Sequence, residues 1–195
     1  MNIVEIGTVA GKIENKKCLL TLYIRKTHFM LIFLLNKKDS ASVNAKINML
    51  KEKLGITIYS KVFRIFLTDN GTEFFSVLNF EGDLTKGNKV SNIFFCHPYI
   101  SYEKHGLEVN HKYIRRVLPK GTYFDYLTNE TVKRLQDNIN AVPRLSLNGA
   151  TPFDLTKKLY PELIEKLNCD YIEPDNVILN EDDIIFLKDI WIIMC

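Results

Sequence analysis

The stretch Phe66-Leu67-Thr68-Asp69-Asn70-Gly71-Thr72-Glu73-Phe74 runs an apolar segment into a carboxylate and then into an Asn-Gly turn. A carboxylate at the carboxyl end of a buried strand stands where α/β folds place their chemistry. Asn-Gly supplies the backbone freedom that a tight turn requires. A second carboxylate, Glu108, opens a helical pattern on which Glu108, His111, Lys112 and Arg115 fall at i, i+3, i+4 and i+7, one face of a helix. Two carboxylates from different elements can converge on a hard divalent cation. Oxygen ligands and magnesium suit phosphoryl transfer, where the metal activates the nucleophile and neutralises charge on the leaving oxygen. His111, one helical turn from Glu108, and Arg115, two turns away, suit a grip on a phosphate backbone. The competing reading of the Asp69 stretch is an ordinary strand-turn-helix junction, which has the same pattern.

The elements that would position these groups follow from periodicity. Residues 3–9, 18–24 and 28–35 read as three strands joined by short polar turns, hence an antiparallel meander. The third is nearly all apolar, which predicts a central place in the sheet. Asp39-Ser40 is a helix N-cap signal, and Val43, Ile47, Leu50 and Leu54 follow at helical spacing up to Gly55. Residues 61–68 read as a fourth strand reached by a parallel crossover. A short helix over 73–80, a polar loop over 81–90 and a fifth strand over 91–96 come next. Further helices are predicted from Leu107 to about Leu118, from Thr131 to Asn140 behind a Thr128 cap, and from Thr151-Pro152 onward, interrupted at Pro161. Pattern alone gives an α/β chain with a mixed sheet.

With 195 residues, the chain has room for one substantial domain, or one plus a small appendage, and 46% hydrophobic residues exclude a disordered protein. The net charge of +3 is mild. Its distribution says more: Lys112, Arg115, Arg116 and Lys120 cluster with few acids nearby, which fits a polyanion-facing surface or a solvated helix face. Cys18, Cys96, Cys169 and Cys195 are scattered without a C-x-x-C pair, so free thiols in a reducing cytosol are the default. Cys96-His97 with His105 and His111 is the nearest approach to a zinc pattern. No signal-peptide pattern precedes the first strand, and a cytoplasmic location is expected. Residues 184–195 are strongly apolar but shorter than the roughly 20 needed to span a bilayer, and they carry Lys188-Asp189. They read as a packed strand or an exposed tail, with no membrane partner.

Several motifs together resemble one family. They are Thr8-Val9 with Gly11-Lys12, Leu20-Thr21-Leu22 with Arg25-Lys26, Thr68-Asp69-Asn70-Gly71-Thr72-Glu73-Phe74, and Glu108-Val109-Asn110-His111. Ile114-Arg115, Leu118-Pro119-Lys120-Gly121, Leu147-Asn148-Gly149 and Thr151-Pro152-Phe153 complete the set. Over roughly residues 3–155 the chain resembles the integrase core of the DDE transposase superfamily, within it the bacterial insertion-sequence-thirty family. The resemblance implies a ribonuclease-H-like α/β fold, a mixed five-stranded sheet flanked by helices. It divides the chain into a catalytic-core-like domain over 1–155 and a helical and apolar tail over 156–195. The upstream helix-turn-helix region of the family has no counterpart here.

By the same resemblance, Asp69 is the second catalytic acid and Glu108 the third, together holding Mg2+ or Mn2+, and Arg115 matches the family's basic DNA-contacting residue. Lys104, His111 and Lys120 are expected to position the DNA backbone with it. The implied activity is strand transfer on DNA: water opens a phosphodiester at the element end, and the freed 3′-hydroxyl attacks target DNA. The partners implied are element ends and target DNA, in a homo-oligomer or a mixed oligomer with a full-length transposase. The chain departs from the family at the first acid. The family's first strand reads glutamate, apolar residue, aspartate, threonine, valine, whereas this chain reads Glu5-Ile6-Gly7-Thr8-Val9. Gly7 offers no ligand. Glu5 lies two residues away on the same strand face, about 6.6 Å, which is too far to bridge metals about 3.5–4 Å apart. The expectation is a truncated, catalytically impaired transposase with weakened metal binding. The alternatives are a non-catalytic DNA-binding or assembly module that modulates a full-length relative, and a pseudogene product.

Overall fold

A computed structural model describes residues 2–14, 16–76, 80–82, 89–97 and 104–179. Strands β1 (Ile3–Ala10), β2 (Cys18–Ile24) and β3 (Phe29–Leu35) form the antiparallel meander. Helix α1 (Ser40–Val62) crosses over to β4 (Ile65–Thr68), which pairs parallel with β1, and β5 (Asn92–Phe95) adds parallel to β4. The sheet order is β3-β2-β1-β4-β5. Helices α2 (His105–Val117), α3 (Asn129–Asn140), α4 (Pro152–Leu159) and α5 (Pro161–Lys166) follow.

Alternation along the strands divides the core into two layers. Val4 and Ile6 of β1, with Cys18, Leu20, Leu22 and Ile24 of β2, face α1, and the same cluster takes in Phe153 and Leu163 from α4 and α5. Val9, Leu19 and Tyr23 face the other way, against Leu107, Ile114 and Val117 of α2 and Val132, Leu135 and Ile139 of α3. Both faces of the sheet are thus covered, so β2 is buried at every residue. Tyr160, Leu163, Ile164 and Cys169 belong to the first cluster, so the chain from 156 to 169 packs into the same core as residues 3–155. The segment 184–195 lies outside the described residues.

Three sequence expectations need correction. The apolar β3 is an edge strand, not a central one. Its outer edge is closed by side chains of α3: Gln136 Oε1 accepts from Ile32 N at 2.9 Å, while Asn140 Oδ1 accepts from Met30 N and Asn140 Nδ2 donates to Met30 O, both at 2.8 Å. Two amides one helical turn apart therefore pair like a missing strand, and the edge can be as apolar as a centre. Second, Gly55 breaks the helix as expected, but a second helical stretch follows it directly. That residue, at φ 73° and ψ 155°, kinks α1, and helix resumes through Val62 to swallow the start expected for the fourth strand. This backbone region is open almost solely to glycine. Third, the helix expected over 73–80 opens with a 3₁₀ turn at Thr72–Phe74 that ends before Phe75; Phe80 and Glu81 are helical, and 77–79 lie outside the described residues.

Candidate active site

The register of β1 on β4 sets Glu5 beside Leu67, and two residues further along each strand lead to Gly7 and Asp69. Beyond β4 the chain turns at once: Cys96 N donates to Thr68 O at 2.7 Å, and the Asn70 amide reaches Cys96 O at 3.5 Å. Glu73, which leads out of the turn, is buried; its Oε1 accepts from Thr8 Oγ1 at 3.0 Å and pairs with Lys38 Nζ at 3.2 Å. The glutamate of the Asp-Asn-Gly-x-Glu string thus ties the Asp69 turn to the end of β1. Asp69 itself, 62% exposed, points to solvent and, among the described residues, to Lys104, whose Nζ donates to its Oδ2 at 3.1 Å.

Helix α2 starts over the same strand ends. Its first turn is held by Glu5, whose Oε2 accepts from Leu107 N at 2.7 Å and whose Oε1 accepts from Arg25 Nε at 2.5 Å. Glu5 is only 1% exposed and both its oxygens are committed. It is a fastener between β1, β2 and α2. Close approach of this turn to β2 depends on Gly106, where a Cβ would lie 2.3 Å from Tyr23 Cε1.

Along the face of α2 the predicted groups separate by environment. Glu108 is exposed in the first turn and makes no ion pair among the described residues. His111 turns inward: its Nε2 lies 2.8 Å from Thr21 Oγ1, which itself donates to Gly7 O at 3.0 Å. With the hydroxyl proton spent on Gly7, His111 Nε2 carries the proton of that pair. Burial, with Lys104 and Arg115 nearby, lowers the His111 pKa from 6.5 to about 4, so the ring is neutral at physiological pH. Arg115 bonds Ala10 O at 2.9 Å and Leu118 O at 3.4 Å, clamping the ends of β1 and α2. Lys112, Arg116 and Lys120 are exposed.

A base held below its ordinary pKa makes the folded state bind fewer protons than the unfolded one. Its contribution to stability is complete above pH 6.5 and is lost as pH falls toward 4. His111→Gln is expected to remove about 2–3 kcal/mol of the acid-side loss between those values. Urea midpoints at pH 7 and pH 4.5 for both chains measure it; equal slopes in the two would refute the assignment.

Sequence reasoning named Asp69, Glu108, Lys104, His111, Arg115 and Lys120. The structure joins Asp69 to Lys104, brings His111 to the Gly7 strand, and leaves Glu108 and Lys120 in solvent. Thr21, Arg25 and Glu73 stood in the motifs without a site role, and Glu5 without its fastening role. A buried glutamate inside an apolar strand is the signal for the last, since such a charge must be paired.

The five-stranded order and helix placement are those of a retroviral integrase catalytic core. The core domain of bovine immunodeficiency virus integrase superposes at a TM-score of 0.55, covering 80% of this chain and 94% of that one at 15% identity. A chain of the simian T-cell lymphotropic virus intasome, solved with a PP2A regulatory subunit, superposes at 0.59 over 78% of this chain and 53% of its own, at 14% identity. No protein-family model matches the chain.

Sequence relatives narrow the class. The transposase of insertion sequence IS4351 from Bacteroides fragilis is 29% identical over 158 residues, 80% of this chain and 44% of that protein. Transposase InsI of IS30C from Escherichia coli K12 is 28% identical over 138 residues, 71% of this chain and 34% of that protein. In fold and in sequence the chain is similar to an integrase-type transposase core, with the IS4351 and IS30 transposases among its relatives. It spans less than half the length of these relatives. Among the described residues no helix is long and apolar enough to cross a membrane.

Proposed function

We propose that the chain is the DNA-binding integrase-type core of an insertion-sequence transposase, impaired in strand transfer. The observation that carries the reading is the convergence of Asp69, the Gly7 strand and the start of α2 in an integrase-type fold. In this reading Asp69 and Glu108 are the remaining catalytic acids. The basic face of α2 with Lys120 meets the phosphate backbone of element ends and target DNA. The chain acts in a homo-oligomer, or in a mixed one with a full-length transposase, in the cytoplasm.

The family implies Mg2+ or Mn2+ bound by three carboxylates. The residues present do not fit that ion. Gly7 carries no ligand, Asp69 is paired with Lys104, and the described residues contain no cluster of three or more His, Cys, Asp or Glu side chains able to hold a metal. The chemistry left to the chain is electrostatic: exposed cations on α2 neutralise backbone phosphates with release of counterions. Its neutral ring removes His111 from that set, and Arg115 is partly engaged by Ala10 O.

The test is a gel-shift and strand-transfer assay on duplex carrying element ends, with light scattering for the assembly state. Binding that weakens steeply with salt, and no transfer product, are expected. Lys112→Glu with Lys120→Glu, both exposed, should weaken binding by about ten-fold or more while leaving the melting temperature in place. Magnesium-dependent transfer by the unmodified chain, or DNA affinity untouched by the two reversals, would overturn the reading.

A further inference from the structure

Lys104 is placed unlike a solvated lysine. Its side chain is 11% exposed, and it stands at the N-terminal end of α2, where the helix dipole disfavours a cation. The carboxylate given to it by the described residues is Asp69, at 3.1 Å. Its Nζ also lies 3.3 Å from where a Cβ on residue 7 would sit, with His111 Cε1 3.8 Å from that same point. The ammonium therefore occupies the space between position 7 and Asp69, the two strand-end positions that would have to share a divalent ion. A magnesium ion needs oxygen at about 2.0–2.1 Å and an unshared carboxylate.

From this juxtaposition we infer that the Lys104 ammonium is a built-in substitute for the divalent cation, so that Gly7 and Lys104 together exclude metal. The inference rests on reading Asp69 as a metal-site acid. It has a direct consequence for repair. In Gly7→Asp the new carboxylate meets Lys104 first and forms a carboxylate–ammonium–carboxylate row in place of a metal site. The Cβ of that aspartate also comes within 2.9 Å of Leu107 Cδ2, the far end of a flexible side chain, which can give way. Restoring the site requires both changes, Gly7→Asp and removal of the lysine charge.

The experiment is a Mn2+ titration by calorimetry on the native chain, Gly7→Asp, Lys104→Gln and the double variant, each first checked for cooperative melting. One saturable site is expected in the double variant, about ten-fold or more tighter than in either single variant, and abolished by adding Asp69→Asn. Mn2+ binding by Gly7→Asp as tight as in the double variant would overturn the inference. So would Asp69-dependent binding by the native chain. Should the double variant not fold, a mutant cycle over Asp69→Asn and Lys104→Gln in the native background decides, read as melting temperature without metal. A double loss no greater than the larger single loss supports the pair, and additive losses overturn it. None of these readouts involves DNA, so failure of the DNA-binding reading shows separately in the gel shift.

Discussion

Replacing Glu5 by alanine is expected to lower the unfolding free energy by about 2–4 kcal/mol, from a buried helix-start amide left without its acceptor and a charge-assisted bond lost to a partly exposed arginine. The side chain is 1% exposed and its two oxygens serve two elements, Arg25 on the strand-end side and the Leu107 amide in the first turn of α2. Truncation strands the Leu107 N–H at a helix start, where the first amides have no partner of their own. It also takes from Arg25, whose side chain is 36% exposed, the acceptor that draws it against β1. Glu5→Gln keeps an acceptor for the amide but not the charge, and should lose about half as much. Urea denaturation with an unchanged slope measures both; a loss below about 1 kcal/mol for alanine would show that the carboxylate is dispensable. The same contact fixes the first turn that carries Lys104 and Glu108, so the variant should also loosen the Lys104–Asp69 pair.

Asn140→Leu is the second large effect expected. Asn140 is fully buried and makes a two-way pair with the Met30 backbone. Leucine removes both partners and leaves a buried N–H and C=O without acceptor and donor, at about 1–3 kcal/mol each, or about 2–6 kcal/mol in all. The bared edge is apolar, so light scattering on refolding should rise as stability falls. Asn140→Asp retains the acceptor for Met30 N and loses the donor to Met30 O, and separates the two halves of the contact. A leucine variant within about 0.5 kcal/mol of the native chain, with no added scattering, would mean that α3 does not seal the strand.

Strand positions were legible in the sequence because period-two patterning and turn residues act locally: β2 falls at Cys18–Ile24 as read, and α3 begins behind its Thr128 cap. What failed depended on partners distant in the chain. Apolarity in β3 reports burial, and burial by side chains of α3 is indistinguishable in sequence from burial by flanking strands. Gly55 breaks the helix as glycine does, but the second helical stretch that follows it runs to Val62, where the sequence reads as the start of a strand. At the site, Asp69 and the α2 face could be picked out by residue type. That Lys104 leans onto Asp69, that His111 turns inward to Thr21, and that Glu5 fastens the helix are long-range contacts. Residue type alone grouped Lys104, His111, Arg115 and Lys120 as one set, whereas burial divides them.

The amide seal on β3 also sets a schedule for synthesis. Met30 and Asn140 are 110 positions apart. A ribosome adding about 5–20 residues per second completes that interval in roughly 5–20 s. Throughout it the finished meander carries a sticky apolar border facing the crowded cell. Any chain cut short before Asn140 keeps that border for good. The smallest fragment able to stay monodisperse must therefore reach through α3, however complete the strands and the Asp69 turn already are.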